Sequence, residues 1–331
     1  MVKKNKKMNL YSWHKKIYLE IVKQHNNKRN HHARMIISDQ NLDIIKLVWN
    51  IAKRILCLKK KKCEVCNSCL LMDSNSHPDW YHIKKESHEN KIGIDFINSL
   101  KRKVLLTSQQ KVGKVIFFQN SENLTVSSIN SLLKIIEEPP KNTWFFFEYN
   151  NNYYIPKTLK SRCLLHFLPP PTEKEGVVWL KNQSLKTKNN NYLILLRTCN
   201  NSPIDSKKLF ESIFWKLRIE FFFLLKEFIK NGIIKSIISI ISKKDNFLFI
   251  NGICCFLLDT IKYKHNLKKN LVNLDQIKLI NFLSKNCTFE GLNKSFKSWI
   301  RCYNRIISIA GINQELLIVE QFLYWKKILN L

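Results

Sequence analysis

Two hydrophobic rhythms divide this chain. In the first half, short apolar runs alternate with stretches of helical spacing. The runs Met35-Ile36-Ile37, Trp80 to Ile83, Lys114 to Phe118, Thr143 to Glu148 and Leu164 to Phe167 read as strands. Continuous apolarity, with little alternation, predicts strands covered on both faces. Between them, Leu42, Ile45, Val48, Trp49, Ala52, Ile55 and Leu56 mark one helix, with Asn41 as its expected N-cap. Ile94 to Leu106 reads as an amphipathic helix, and Ser127 to Glu138 as another, stopped by Pro139-Pro140. Strands alternating with helices predict a parallel α/β sheet.

The second rhythm begins after Pro169-Pro170-Pro171. Glu175 to Lys181 and the region near Tyr192 to Arg197 read as helices, and Asn201 to Pro203 as a turn. From about Leu209 onward, aromatic and Ile positions keep helical spacing and Pro is absent, which predicts a bundle. The expected division is therefore an α/β domain over 1–168, a small helical module over 169–208 and an all-α block over 209–331.

Composition sharpens this only a little. At 331 residues and 45% hydrophobic, the chain can fill more than one typical core. Seven Gly and eight Pro disfavour a turn-rich all-β fold. The net charge of +31 admits two readings. One is a nucleic-acid partner whose phosphates the cations neutralise. The other is compositional drift, since Lys, Asn and Ile are abundant throughout and the Lys residues form no single stripe. The charge thus supports solubility and non-specific DNA affinity without defining a function. Met1 to Lys16 has no apolar core of a secretory signal. The apolar stretches Phe221 to Leu225 and Phe247 to Leu258 are interrupted by Glu220, Lys226 and Lys244, short of the roughly 20 residues that span a bilayer. A cytoplasmic protein is expected.

Cys57, Cys63, Cys66 and Cys69 form a C-x5-C-x2-C-x2-C cluster. Four thiolates can close a tetrahedral zinc site with no position left for water, so the expected site is structural. Leu58 and the run Lys59 to Lys62 read as loop, and the cations favour thiolate formation. Two disulfides within the cluster are the alternative. Cys163, Cys199, Cys254, Cys255, Cys287 and Cys302 stand in apolar contexts and read as small core residues.

An α/β domain, a small helical lid and a helical C-terminal block resemble the plan of AAA+ clamp-loader subunits. The motifs narrow the resemblance to the delta-prime family of the bacterial DNA polymerase III clamp loader. They are His31-His32-Ala33, the Cys cluster, His77-Pro78-Asp79-Trp80-Tyr81, and Asn130 to Pro140 with its Leu-Leu-Lys-Ile-Ile-Glu-Glu-Pro-Pro. Thr143-Trp144-Phe145-Phe146, Leu159-Lys160-Ser161-Arg162-Cys163, Pro169-Pro170-Pro171 and Gly311 to Ile318 continue it in order. Residues 231–293 carry little that matches.

The resemblance implies an AAA+ type domain with an inserted zinc loop (57–69), a lid, and a C-terminal collar that assembles subunits. It implies gamma/tau and delta partners in a hetero-pentamer, a sliding clamp and primed DNA reached through the complex, and structural Zn2+. It also implies a place in a DNA-directed DNA polymerase holoenzyme, a nucleotidyltransferase, with no catalysis by this chain. Departures from an active ATPase fit this family. A working P-loop reads GxxxxGK[ST]. The equivalent stretch, Ser38-Asp39-Gln40-Asn41-Leu42-Asp43-Ile44-Ile45, lacks both Gly and the Lys and carries two carboxylates. The acidic Mg2+-binding pair is replaced by Gln119-Asn120. No ATP on this chain is therefore expected.

Arg162, flanked by Ser161 and Cys163, takes the family's role of an arginine acting in trans on the neighbouring gamma/tau nucleotide. Taken alone, it is a surface Arg before a strand. Glu137 and Glu138 read as helix-end residues rather than a catalytic pair, and His31, His32 and His77 as structural. Two other classes remain: a gamma/tau-type ATPase, and a free-standing zinc-containing DNA-binding protein.

Overall fold

Five parallel strands form one sheet in the order Trp80–Ile83, Lys114–Phe118, Thr143–Asn150, Ala33–Ser38, Leu164–Phe167. The computed structural model describes residues 9–27, 31–59, 63–85, 91–183, 185, 189–241, 246–309 and 311–329. By contact density the chain divides into two units, Met1–Pro171 and Thr172–Leu331.

In the first unit the elements run α1 (Lys15–Asn26), β1 (Ala33–Ser38), α2 (Ile44–Ile55), α3 (Asn67–Asp73), β2 (Trp80–Ile83) and α4 (Ile94–Leu105). They continue with β3 (Lys114–Phe118), α5 (Val126–Glu137), β4 (Thr143–Asn150), α6 (Lys157–Lys160) and β5 (Leu164–Phe167). The parallel α/β expectation holds, and every residue of β1 and β3 is buried. β1 lies between β4 and β5, with Ile36 opposite Glu148 and His166. One sheet face packs Met35, Ile37, Ile116, Phe118, Phe145 and Phe147 against Ile97, Leu100, Leu132 and Ile136 from α4 and α5. Phe118 and Phe147 stack at 4.9 Å.

Local signals explain most boundaries. Thr125 caps α5 by accepting from the Ser128 amide, and Pro139-Pro140 follows its end. One boundary differs from expectation. Asn41 does not cap α2. Asp43, in a left-handed conformation (φ 57°), precedes the helix, and its amide donates to Asn41 Oδ1 at 3.4 Å. Leu42 is buried ahead of the helix, so the apolar rhythm begins before the helical backbone does, which starts at Ile44.

The second unit is all helix: α7 (Glu173–Lys181), α8 (Asn189–Thr198), α9 (Pro203–Glu211), α10 (Ile213–Asn231), α11 (Lys235–Ile241), α12 (Asn246–Lys264), α13 (Ile277–Asn286), α14 (Phe289–Ser308) and α15 (Gln314–Leu329). Thr172 and Glu175 form a reciprocal capping box on α7. The expected turn at Asn201 to Pro203 is partly helix start: Ser202 caps α9 and Pro203 opens it. Gly232 takes the left-handed conformation that ends α10 (φ 66°). Gly311 (φ 82°) turns the chain before α15, whose first turn is capped by Asn313 Oδ1 accepting from the Leu316 amide. The core of this unit is aromatic. Trp299 meets Trp325 edge-on at 5.4 Å, and Phe228 and Phe322 pack against the same indole. No described helix is long and apolar enough to cross a membrane.

Candidate functional site

The four cysteines of the cluster converge. The Sγ atoms lie within 4.8 Å of one another, with Cys57–Cys63 at 3.5 Å, Cys57–Cys66 at 3.9 Å and Cys63–Cys69 at 4.0 Å. A tetrahedron with metal–sulfur bonds of about 2.3 Å has edges of about 3.8 Å, so these spacings suit a metal ion. They are far from the roughly 2 Å of a disulfide, and none of the four cysteines is in a disulfide. The cluster can hold a metal ion.

It is not a single loop, however. Cys57 follows the end of α2, Cys66 caps α3 and Cys69 sits in the first turn of α3. Lys60 to Lys62, expected as loop, lie outside the described residues. The scaffold is polar and buried. Asp79's amide donates to His77 Nδ1 at 3.1 Å, leaving Nε2 to donate to Ser68 Oγ at 2.9 Å. Ser68 in turn donates to the Leu56 carbonyl at 2.7 Å, tying α3 to the exit of α2. Lys53, nearly fully buried, pairs with Asp73 at 2.6 Å across the same two helices. Amide hydrogen bonds, first from Val65, draw the Cys63 thiol down to about 6, whereas burial pushes Cys69 up to about 12. A bound dication would offset the cost of the second thiolate.

The other motif residues are structural. Asp79 accepts the Gln109 and Gln110 amides at 2.9 and 2.8 Å. His31 Nδ1 meets the Ala33 carbonyl at 2.7 Å, and His32 Nε2 the Ile136 carbonyl at 2.6 Å. Of the remaining cysteines, Cys163 and Cys302 are buried, and Cys199, Cys254, Cys255 and Cys287 are half-buried.

The segment expected to be a degenerate phosphate loop, Ser38 to Ile45, runs from the end of β1 into α2. Ser38 Oγ donates to the Gln40 carbonyl at 2.9 Å. The Asp43 carboxylate takes Lys46 at 2.8 Å and the Tyr11 hydroxyl at 3.3 Å. Trp13 Nε1 and His14 Nε2 both donate to the Leu42 carbonyl, at 3.3 and 2.7 Å. Burial lowers His14 to about 4, so the ring is neutral. Sequence reasoning missed this N-terminal turn. Its signal was the aromatic sequence Tyr11-Ser12-Trp13-His14 ahead of a Lys-rich helix. Gln119 Oε1 accepts from His82 Nε2 at 2.8 Å, and Asn120 is left-handed (φ 49°). The pair where an acidic Mg2+ site would stand is thus committed to strand-end structure.

Arg162 stands between α6 and β5, with its side chain one-third exposed (34%). Nε and Nη2 both reach Glu137 Oε1, at 2.6 and 2.5 Å. Nη1 donates to the Thr158 carbonyl at 2.9 Å and to Ser161 Oγ at 3.3 Å. Glu137 is thus the helix-end residue expected, and it also orients the arginine. Cys163 Sγ turns inward, its thiol pushed up to about 12 by burial.

The fold defines a class: a parallel five-stranded α/β unit followed in the chain by an all-helical unit. The family described as "DNA polymerase III, delta subunit" matches residues 13–172, and "DNA polymerase III, delta subunit, C terminal" matches 212–327. The DNA polymerase III subunit delta' of Buchnera aphidicola subsp. Schizaphis graminum (strain Sg) is 42% identical, over 97% of this chain and 98% of that protein. The same subunit of Buchnera aphidicola subsp. Acyrthosiphon pisum (strain APS) is 40% identical over 98% and 99%. That of Escherichia coli (strain K12) is 27% identical over 96% and 95%. The chain belongs to the delta' subunits of DNA polymerase III.

Proposed function

We propose that this chain acts as a non-hydrolysing subunit of a cytoplasmic clamp loader, in a hetero-pentamer with gamma/tau and delta subunits. It lends Arg162 to the nucleotide of its gamma/tau neighbour, and the complex places a sliding clamp on primed DNA. The division into 1–168, 169–208 and 209–331 belongs to this reading, with the last block as the assembling collar.

The observation that carries it is the contrast between two sites on one domain. The chain's own phosphate loop presents Asp43, already bound by Lys46 and Tyr11, where an anion would sit. A carboxylate there repels a polyphosphate. Arg162, by contrast, lies at the surface with its Nε–Nη2 fork on the exposed Glu137 carboxylate and its Nη1 held by Thr158 and Ser161. An exposed ion pair contributes about 0–1 kcal/mol, so exchanging Glu137 for a phosphoryl oxygen costs little. A planar fork suits the charge developing on a transferring phosphoryl group.

The Cys cluster fits Zn2+, because four thiolate donors at tetrahedral spacing match a closed structural site. Its residues hold the connection between α2 and α3 and take no part in the nucleotide chemistry. Native mass spectrometry of the chain mixed with gamma/tau and delta from the same genome tests the assembly. A hetero-pentamer is expected. A chain that stays alone yet binds DNA would favour the free-standing DNA-binding class.

A further inference from the structure

The four cysteines of the cluster are not equally sheltered. Cys57 and Cys69 are fully buried (0% exposed), whereas Cys63 and Cys66 are half-buried. Glu64, Val65 and Asn67 are exposed beside these two, so the cluster meets solvent along this one edge. A small soluble oxidant therefore reaches Cys63 or Cys66 before the other pair. The spacings separate those two. Cys57 Sγ lies 3.5 Å from Cys63 and 3.9 Å from Cys66. Cys63 thus combines access with a second sulfur close behind it. Closing 3.5 Å to a disulfide of roughly 2 Å asks for little more than side-chain rotation. The cysteines outside the cluster do not compete. Burial pushes the thiols of Cys163, Cys199 and Cys254 up to about 12 and those of Cys255 and Cys302 up to about 11, and raises that of Cys287. A thiol that stays protonated is a poor nucleophile, whereas a metal ligand is held as thiolate.

We propose that Cys63 is an oxidative modification site, where hydrogen peroxide acts first and drives closure of a Cys57–Cys63 disulfide with loss of the metal. This rests on the zinc reading of the cluster. The Cys63 thiolate attacks one peroxide oxygen, the O–O bond breaks, and hydroxide leaves, giving a sulfenic acid. The Cys57 thiolate then attacks the Cys63 sulfur. The S–S bond forms, the S–O bond breaks, and a second hydroxide leaves. Solvent protonates both hydroxides to water, and the two electrons that reduce the peroxide come from the sulfur pair. Only Cys66 and Cys69 then remain as ligands, half of a closed structural site. Lys53 with Asp73, and Ser68 with the Leu56 carbonyl, still join α2 to α3. The chain therefore stays folded, and thiol reductant with fresh zinc reverses the change.

The test uses the full chain purified without chelator, its zinc first counted by elemental analysis. Hydrogen peroxide is added at neutral pH with pyridylazoresorcinol, which colours on binding free zinc. Release of the bound zinc is expected, about tenfold or more faster than oxidation of Cys199, Cys254, Cys255 or Cys287. Dimedone, which traps sulfenic acids, should label Cys63 first. Peptide mass mapping after alkylation should show a Cys57–Cys63 link, and dithiothreitol with Zn2+ should restore the metal. Zinc retained while other cysteines oxidise overturns the proposal, as does release whose first adduct and disulfide both lack Cys63. A chain that carries no zinc before oxidant is added contradicts the metal reading itself, and the proposal with it.

Discussion

Glu137 and Arg162 are 25 positions apart in sequence and share one carboxylate oxygen, Oε1, at 2.6 and 2.5 Å from Nε and Nη2. Glu137 ends α5, and Arg162 follows α6. The Ile-Ile-Glu-Glu-Pro-Pro end and the Ser-Arg-Cys triplet are therefore two halves of one surface device.

Replacing Glu137 by Ala separates orientation from stability. Both side chains are at least one-third exposed, so Glu137→Ala should change the unfolding free energy by about 1 kcal/mol or less. The ATPase of the assembled complex should fall less than with Arg162→Ala. Adding Glu137→Ala to Arg162→Ala should then change nothing further. A further drop in the double variant would mean that Glu137 acts independently of the arginine.

The metal site yields a stoichiometry. Protein purified without chelator should contain one zinc, and Cys66→Ser with Cys69→Ser should abolish it. His77→Ala should weaken retention without removing a ligand. It leaves the buried Asp79 amide without its acceptor, at about 1–3 kcal/mol, and takes from Ser68 Oγ the donor it accepts from, though Ser68 keeps its bond to the Leu56 carbonyl. Elemental analysis and urea unfolding measure both effects. Unchanged zinc content in the double Cys variant would remove the assignment.

Nucleotide should not bind the isolated chain. Calorimetric titration with Mg2+-ATP should show no saturable heat, because the loop lacks Gly and Lys and its Asp43 is paired with Lys46. Micromolar binding would revive the gamma/tau-type reading.

The pH dependence has two opposing parts. His14 and His166 are buried and lowered to about 4 from 6.5, chiefly by burial. Between pH 6.5 and 4 the unfolded chain binds protons that the folded chain refuses. Stability is therefore full above 6.5 and is lost as pH falls through this window. Glu148 is raised from 4.5 to about 7 by burial. Its contribution is full below 4.5 and is lost as pH rises through 7. Glu148→Gln should stabilise the chain by about 1–3 kcal/mol at pH 7.5 and little at pH 4.5. Urea midpoints at both pH values decide it. An equal effect at the two would contradict the assignment.

The strands were legible because buried parallel strands carry continuous apolar runs. β2, β3 and β5 begin and end where those runs do. α1 was not legible, since only Ile17 and Ile21 of its twelve residues are buried, while Tyr18, Leu19 and Val22 are half-buried or exposed and blur the stripe. α3 was hidden because its first three residues, Asn67 to Cys69, lie inside the cysteine spacing, which metal geometry explains without a helix. The Cys set and Arg162 could be named from spacing and motif. Their supports could not: Ser68, His77 and Glu137 act through contacts set by the packing of α2 on α3 and of α5 on α6. Asp43 was read as repelling phosphate, whereas Glu122 and Glu148, both raised by burial, gave no local signal.

The central claim is that Arg162 works on a nucleotide held by another subunit. The measurement is the DNA- and clamp-stimulated ATPase of complexes assembled with the parent chain or with Arg162→Ala, with assembly confirmed. Trans-acting arginines contribute about 10³–10⁵ in rate at the site they face. Sites facing other subunits keep their own arginines, so the total rate should fall in part, with a matching loss of clamp loading. Arg162→Lys should not restore it fully, since an ammonium lacks the planar fork. An unchanged ATPase rate and clamp-loading yield would make Arg162 a surface residue paired with Glu137 and nothing more.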